Sequence, residues 1–364
     1  MIHRHKITRR DFLKLAAVSA GGLCLKPWDR VFAQNGYSPD ERLARVVWWG
    51  TELKTRPDIS SNSIRALQED ELLPWLREVV GSHPTDISQR WVETPEGYLW
   101  SPHVQMVKNQ PTKPLAALPM TSLGDGMWAE VSVPYVDLVL DNPPARAPWL
   151  EYRISNGPYP RLYYSQIVWI DQIKTGEDGE PWYRVNEMYG YGDIFWAKAE
   201  AFRQIKEEEI SPINPEVENK RIVVNVPYQT LSCFEDNQEV YFARISTGAL
   251  YNAAGERVDA WATPGGKHPI WRKMISLHMS GDTTGGGWDL PGIGWTSLFV
   301  GSGVAIHSTF WHNNFGVPMS RGCINAKPKD AKWVFRWTQP HVAYDPGDVT
   351  VPLPGGTPIE VVES

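Results

Sequence analysis

The stretch that decides the fold reads AIHSTFW (residues 305–311), and SRGCIN (residues 320–325) follows it after a short loop. Val304, Ala305 and Ile306 predict a short buried strand that delivers His307 at its end. A cysteine is a good nucleophile only as its thiolate, so Cys323 needs a base or a positive neighbour. His307 is the candidate base, because the loop at 312–318 is rich in turn-forming residues that can fold Cys323 back onto it.

Gly322, immediately before the cysteine, favours a tight turn that brings backbone N–H groups close to a bound carbonyl. Those N–H groups are a candidate oxyanion hole. A single cysteine or histidine is more often an ordinary packing residue, so the presence of this pair does not by itself indicate catalysis.

The detail of the stretch is more specific. His307-Ser308, a short loop and Ser-x-Gly-Cys-Ile-Asn resemble the active-site signature of the L,D-transpeptidase (YkuD-type) catalytic domain. Upstream, STG (246–248) and TPGG (263–266) resemble two turns of that family in the same order. The resemblance covers roughly residues 219–364, the predicted catalytic domain. Arg321 stands where the best-known members carry a second histidine, and the loop before Ser320 is slightly short.

The resemblance implies a cysteine transpeptidase that acts on peptidoglycan stem peptides. It implies that Cys323 is the nucleophile, that His307 is its base and that the Ser308 carbonyl orients the imidazole. The N–H groups of Gly322 and Cys323 would then hold the oxyanion. The residues assigned to the substrate site are Arg321, Asn325, Ser320 and Trp311, and Arg321 is also expected to favour the thiolate. The resemblance implies no cofactor, and the scattered histidines show no metal-ligand spacing.

Two other functions remain open at the sequence level. An L,D-carboxypeptidase of the same fold would use the same residues but let water resolve the thioester. A non-catalytic cell-wall-binding protein would keep the fold without the chemistry, although the joint retention of His307, Gly322 and Cys323 argues against it.

The whole chain has 364 residues, 30 Gly, 30 Pro, 18 Trp and a net charge of −6. This length predicts two or three domains, and the spread of Gly and Pro predicts a mostly β fold of short strands. The negative charge argues against a nucleic-acid partner. The three cysteines give no disulfide framework, and the strand-like surroundings of Cys233 predict that it is a packing residue.

Residues 1–33 predict a twin-arginine signal peptide: Arg9-Arg10 precedes an apolar run at 15–25, and Ala33 suits cleavage. The mature protein is therefore expected in the cell envelope or outside the cell, with membrane contact only through this segment. Cys24 leaves a lipoprotein open as an alternative.

Residues 41–109 resemble a bacterial SH3-like module, through LKTRP (53–57) and RWVETPEGYLWS (90–101). Its tryptophans either contact the cell wall or fill a small core. Residues 127–210 are interpreted as a second, degenerate SH3-like module. The prediction is thus two small barrels followed by a β-rich catalytic domain, with residues 41–210 dispensable for the chemistry. The glycine-rich loop at 281–288 is interpreted as a flap beside the site, and the spacing at 330–337 predicts a helix.

Overall fold

Strands dominate the fold. The computed structural model describes residues 37–156, 160–187, 190–251, 255–281 and 288–363, and within them 28 strands accompany two α-helices. The mostly β prediction is therefore confirmed. Most of the residues from Pro39 onward form one compact unit. The predicted signal peptide, including Cys24, lies outside the described residues, as does the centre of the glycine-rich loop at 282–287. None of the described helices has the length and apolar character needed to cross a membrane.

The first part of the chain builds two small antiparallel sheets. Their strands are β1 (Leu43–Val46), β2 (Glu52–Lys54), β3 (Ser63–Ala66), β4 (Leu72–Pro74), β5 (Arg77–Val80), β6 (Arg90–Glu93), β7 (Tyr98–Trp100) and β8 (Val104–Val107). The spatial orders are β4-β1-β8 and β3-β2-β7-β6-β5. Trp75 and Trp91 are buried, whereas Trp100 is half-buried and stacks on His83 with ring centroids 4.4 Å apart. Trp75 and Trp91 therefore fill the interior. The likeness to SH3 modules stays a prediction.

The second part centres on a six-stranded sheet of order β13-β17-β16-β15-β11-β18. The second part also holds two two-stranded sheets, β9-β10 and β12-β14, and one helix. Its elements are β9 (Met120–Thr121), β10 (Gly124–Asp125), β11 (Met127–Val131), β12 (Tyr135–Asp137), β13 (Val139–Leu140), α1 (Pro148–Asn156), β14 (Arg161–Tyr163), β15 (Ile167–Thr175), β16 (Pro181–Asn186), β17 (Ile194–Lys198) and β18 (Phe202–Gln204). The hairpin predicted around the turn at 175–180 is confirmed as β15 and β16. The helix α1, in contrast, was not predicted.

The last part consists of two five-stranded sheets. Their elements are β19 (Lys220–Asn225), β20 (Thr230–Glu235), β21 (Gln238–Arg244), β22 (Gly266–Pro269), β23 (Arg272–Gly281), β24 (Trp288–Leu298), β25 (Ala305–Ser308), β26 (Ile324–Ala326), α2 (Pro328–Trp337), β27 (Asp348–Thr350) and β28 (Pro358–Val362). The spatial orders are β21-β20-β19-β28-β22 and β26-β25-β24-β23-β27. Cys233 on β20 is fully buried, which confirms that it packs in the core.

The helix α2 follows directly from its sequence, as predicted. Pro328 suits the first helical turn, and the apolar residues Ala331, Val334 and Phe335 recur at the spacing of one helix face. At its C-terminal end, Nζ of the buried Lys273 donates to the carbonyls of Phe335 at 2.5 Å and Thr338 at 2.7 Å. This contact stabilises the end of α2 against the sheet because carbonyls there lack partners within the helix.

One hydrophobic core crosses from the second part into the last. Trp128, Ile167 and Trp169 pack in the same buried cluster as Trp295 and Phe335. Gly294 on β24 contributes to this fit, since a Cβ there would lie 2.5 Å from the Cδ1 atom of Ile167. The second part therefore packs against the long β23–β24 hairpin, and the two share one continuous hydrophobic core.

A buried histidine also fastens that hairpin. Nδ1 of His278 on β23 lies 3.0 Å from a Glu187 carboxylate oxygen, and Nε2 lies 2.5 Å from Asp289 on β24. Burial alone would lower the pKa of His278, but Glu187 and then Asp289 outweigh it and raise that pKa. Both ring nitrogens can donate to carboxylates only in the imidazolium form, so the charged ring joins the hairpin to the second part.

The first and second parts meet at the carboxylate of Asp70. One oxygen accepts from Arg45 at 2.6 Å and the other from Arg161 at 2.7 Å, and Arg161 also pairs with Asp137 at 2.6 Å. Arg45 stacks over Tyr163, whose ring in turn stacks on Phe310 of the last part. All three parts of the chain thus touch one another around Asp70.

Candidate active site

His307 is held in one tautomer at the end of a buried strand. All four residues of β25 are buried, the apolar Ala305 and Ile306 as predicted, and the His307 side chain also lies in the interior. Its Nδ1 donates to the backbone carbonyl of Ser308 at 2.8 Å. Burial lowers the pKa of His307 to about 4, partly offset by this hydrogen bond. The ring is therefore neutral near pH 7, with its proton on Nδ1 and a lone pair on Nε2.

Cys323 lies one residue before β26, beside β25. The parallel register pairs Ile306 with Ile324, which places Cys323 opposite Ala305. The thiol is half-buried and faces the carbonyl oxygen of Gly303 at 3.9 Å. Burial raises the pKa of Cys323 to about 11, although the backbone N–H of Ala305 acts in the opposite direction. The resting cysteine is therefore a neutral thiol.

The same register brings His307 and Cys323 to one face of the sheet. His307 is two residues beyond Ala305, so its side chain points to the same side as that of Cys323. With roughly 3.3 Å per residue along a strand and 4.8 Å between strands, their Cα atoms are about 8 Å apart, within reach of a bound peptide shared by both side chains. The strand pairing thus brings the predicted nucleophile and base together.

The turn before Cys323 is closed by the hydroxyl of Ser320. Ser320 Oγ donates to the carbonyl of Cys323 at 2.5 Å and accepts from the N–H of Gly322 at 3.2 Å. Gly322 has a φ of 113°, where an L side chain is strained, although the space around it is adequate. Ser320, predicted to bind substrate, therefore holds the turn, and a substrate oxyanion would have to replace its Oγ on the Gly322 N–H.

The two upstream turns join this one through Thr263. Its hydroxyl accepts from the N–H of Gly248 at 2.9 Å and donates to the carbonyl of Gly322 at 2.8 Å. Gly248 allows this approach because a Cβ there would lie only 1.9 Å from the carbonyl oxygen of Trp261. The STG and TPGG turns thus support the backbone that carries Cys323, a role that their sequence did not reveal.

Arg321 and Trp311 take different places around the pair. The Arg321 guanidinium lies over the ring of Trp261, 4.8 Å from its centroid. Burial dominates and raises the pKa of Cys323, and the expectation that Arg321 favours the thiolate stays a prediction. Trp311 packs beside His307 with ring centroids 5.8 Å apart, so it lines the base.

Asn325 is paired with His307 in the β25–β26 ladder and is 1% exposed. Its side-chain amide meets Nε2 of a second buried histidine, His312, at 3.0 Å. Sequence reasoning missed His312, because it lies in a loop without a periodic pattern. Its closeness to His307 in the chain was the one available signal.

The last part of the chain matches a known protein family. Residues 219–361 match the model of the YkuD family, the L,D-transpeptidase catalytic domain. These residues form a YkuD-type domain. No curated protein matches the chain.

Three solved structures resemble part of this chain at low sequence identity. An L,D-transpeptidase in complex with imipenem is 22% identical, with a TM-score of 0.31, over 48% of this chain and 74% of that one. The catalytic domain of the Enterococcus faecium enzyme is 22% identical, with a TM-score of 0.29, over 40% of this chain and 98% of that one. A Mycobacterium smegmatis L,D-transpeptidase is 16% identical, with a TM-score of 0.30, over 53% and 98%.

The first part of the chain packs directly on the loop of the YkuD-type domain that follows His307. Arg90 on β6 donates to the carbonyls of Asn313 and Phe315, and Asn313 donates to Ser101 Oγ at 2.7 Å. Arg45 on β1 donates to the carbonyl of Phe310 at 3.0 Å. These contacts brace the segment between the predicted base and nucleophile, which the sequence-based division into modules did not anticipate.

No metal site accompanies the YkuD-type domain in the part of the chain that the structure describes. No cluster of three or more His, Cys, Asp or Glu side chains is placed there to hold an ion.

Proposed function

We propose that the protein is an exported cysteine L,D-transpeptidase that cross-links peptidoglycan stem peptides through a thioester. The match of residues 219–361 to the YkuD family supports the reaction class. The observation that carries the proposal is the pairing of β25 with β26, which presents His307 and Cys323 on one sheet face. The hydrogen bond from His307 Nδ1 to Ser308 leaves Nε2 as the base.

Acylation begins from a neutral thiol and a neutral imidazole. Since the pKa of His307 is about 4 and that of Cys323 about 11, a preformed thiolate–imidazolium pair is disfavoured. The thiol proton therefore moves to His307 Nε2 as Sγ attacks the peptide carbonyl next to the terminal D-alanine. The imidazolium then protonates the departing amine of D-alanine, and a thioester remains on Cys323.

Deacylation runs the same proton transfers in reverse. A side-chain amine of a neighbouring stem peptide attacks the thioester carbonyl and gives its proton to Nε2. The thiolate leaves and takes that proton back, so the products are a cross-linked peptide and the free enzyme. The backbone N–H groups of Gly322 and Cys323 are the proposed oxyanion donors, each worth about 10²–10³-fold in rate.

The test is incubation with a stem tetrapeptide that ends in D-alanine, followed by mass spectrometry of protein and products. The expected result is a transient adduct on the peptide that contains Cys323, release of D-alanine and a cross-linked dimer. Cys323→Ser should remove all three, whereas Cys233→Ser should leave them. Release of D-alanine without dimers would replace the proposal with a carboxypeptidase, and an inert parent protein would overturn both.

Export is part of the proposal and rests on the sequence alone. Arg9 and Arg10 precede an apolar run, and Ala33 suits cleavage. Replacing both arginines with lysine should trap the precursor inside the cell, as measured by fractionation. Unchanged export would argue against the twin-arginine route.

A further inference from the structure

The peptide group between Gly322 and Cys323 carries an N–H that the proposed reaction uses. The Gly322 carbonyl and the Cys323 N–H belong to this one planar group, whose bond is trans, so the two point in opposite directions. Whatever fixes the direction of the carbonyl therefore fixes the direction of the N–H. Gly322 itself does little to fix it, because a residue without a Cβ leaves the backbone free to rotate.

Ser320 holds the two neighbouring peptide groups. Its Oγ accepts from the Gly322 N–H, which belongs to the preceding group, and donates to the Cys323 carbonyl, which belongs to the following group. The group between them is held from another element: the hydroxyl of Thr263 donates to the Gly322 carbonyl at 2.8 Å. The direction of the Cys323 N–H therefore depends on Thr263.

The hydroxyl hydrogen of Thr263 is committed to that carbonyl. Thr263 is 3% exposed, and its Oγ1 accepts from the backbone N–H of Gly248 at 2.9 Å. A hydroxyl has a single hydrogen and an N–H group can only donate, so the hydrogen is left for the Gly322 carbonyl. Gly248 is in turn bridged to Ser320, and the Ala249 N–H donates to the Ser320 carbonyl at 2.8 Å. Both the place and the direction of the Thr263 hydroxyl are thus fixed.

A hydrogen bond to the carbonyl also strengthens the N–H at the other end of the same peptide group, because hydrogen-bonded groups polarise one another in a buried site. An oxyanion hole works through donors that are in place before the charge develops. We infer that Thr263 is a positioning residue: its hydroxyl locks the Gly322–Cys323 peptide group so that the Cys323 N–H donates to the oxyanion formed when Sγ attacks a carbonyl. The use of this N–H as an oxyanion donor rests on the proposed function.

The test compares two reactions of the same thiol. In acetylation by p-nitrophenyl acetate, Cys323 Sγ attacks the ester carbonyl and forms an oxyanion, the thiol proton moves to His307, p-nitrophenolate leaves and a thioester remains. In alkylation by iodoacetamide, Sγ displaces iodide from a saturated carbon, and no oxyanion forms. The ratio of the two initial rates, measured by mass spectrometry of the peptide that contains Cys323, separates the oxyanion donor from access to the thiol.

The variants differ in whether residue 263 has a hydroxyl. Thr263→Val keeps the shape of the side chain without the hydroxyl and should lower the acetylation rate by about tenfold or more with alkylation unchanged, since losing an oxyanion donor altogether costs about 10²–10³-fold. Thr263→Ser keeps the hydroxyl and should keep the ratio of the parent. The matched control is Thr338→Val, which removes another buried hydroxyl that donates to a carbonyl, at the end of α2, and should also keep that ratio. An unchanged ratio in Thr263→Val, or the same loss in Thr338→Val, would refute the positioning role.

Loss of structure gives a different pattern from loss of position. A disrupted turn exposes the Cys323 thiol and raises its alkylation rate toward that of a free cysteine, whereas a misdirected N–H leaves alkylation unchanged. If Thr263→Val does not fold, Thr263→Ala makes the same comparison without a methyl group against the Gly322 carbonyl. An unchanged ratio in the alanine variant would then overturn the inference.

The stem tetrapeptide separates this inference from the proposed function. An oxyanion donor acts in the transition state, so Thr263→Val should lower kcat for the tetrapeptide and leave KM close to that of the parent. A parent protein that is inert toward the tetrapeptide, with the ratio still lowered in Thr263→Val, would overturn the proposed function alone. A parent that cross-links the tetrapeptide, with an unchanged ratio in Thr263→Val, would overturn the inference alone.

Discussion

The protonation state of Cys323 leads to a prediction about its reactivity. Burial raises the pKa of the thiol to about 11. At pH 7 about one molecule in 10⁴ is then a thiolate, against roughly 3% for a free cysteine of pKa about 8.5. A thiolate of higher pKa is intrinsically more nucleophilic, and this offsets about tenfold of the lower thiolate population. Iodoacetamide should therefore alkylate Cys323 roughly 20–30-fold more slowly than a free cysteine.

The assay follows alkylation of the peptide that contains Cys323 by mass spectrometry between pH 6 and pH 10. The rate should rise about tenfold per pH unit across this range. The same peptide in the urea-unfolded protein should level off above about pH 8.5. His307→Ala should keep the shape of the native profile, because a neutral imidazole does not hold a thiolate. A plateau below pH 8.5 in the native protein would refute a neutral resting pair.

Three further predictions concern the contacts that support the site. Arg90→Ala removes two donors to the loop after His307 and should lower kcat by about tenfold or more in the tetrapeptide assay, whereas Arg77→Ala on the neighbouring strand should not. Asp70→Asn leaves Arg45 without its buried partner and should destabilise the protein by about 3–5 kcal/mol in urea unfolding; a change below 1 kcal/mol would contradict this. The raised pKa of His278 contributes stability below pH 6.5 that is lost as pH rises through the folded pKa. The protection factors of the β23 amides, which correct for base-catalysed exchange, should therefore fall at alkaline pH more in the parent than in His278→Leu.

The sequence predicted those features that depend on local pattern. The strand before His307, the helix over 330–337 and the hairpin around 175–180 each followed from periodicity or turn residues within a short window. The YkuD signature likewise lies within one stretch, and the register of β25 and β26 puts its His307 and Cys323 on one face of the sheet. All of these features depend on residues that are close in the chain or lie on adjacent strands.

The features that the sequence missed depend on contacts between distant residues. A run of charged residues such as that at 206–209 usually lies on a solvated face. Glu209 instead pairs with Arg203 and Lys332, and these contacts outweigh burial and lower its pKa to about 2. The raised pKa of Cys323 likewise comes from the packing around it, which a motif does not describe. No periodic signal indicated that His312 would face Asn325.

The contacts that hold the segment between His307 and Cys323 also shape how the chain folds. Arg45 and Phe310 are 265 residues apart in sequence, and Arg90 and Asn313 are 223 apart. Contacts at such separation form late, since a long loop must close before they stabilise anything, and proteins rich in them fold slowly. On refolding, strand content should therefore recover before catalytic competence does. An intermediate that already has its sheets would still lack an ordered site.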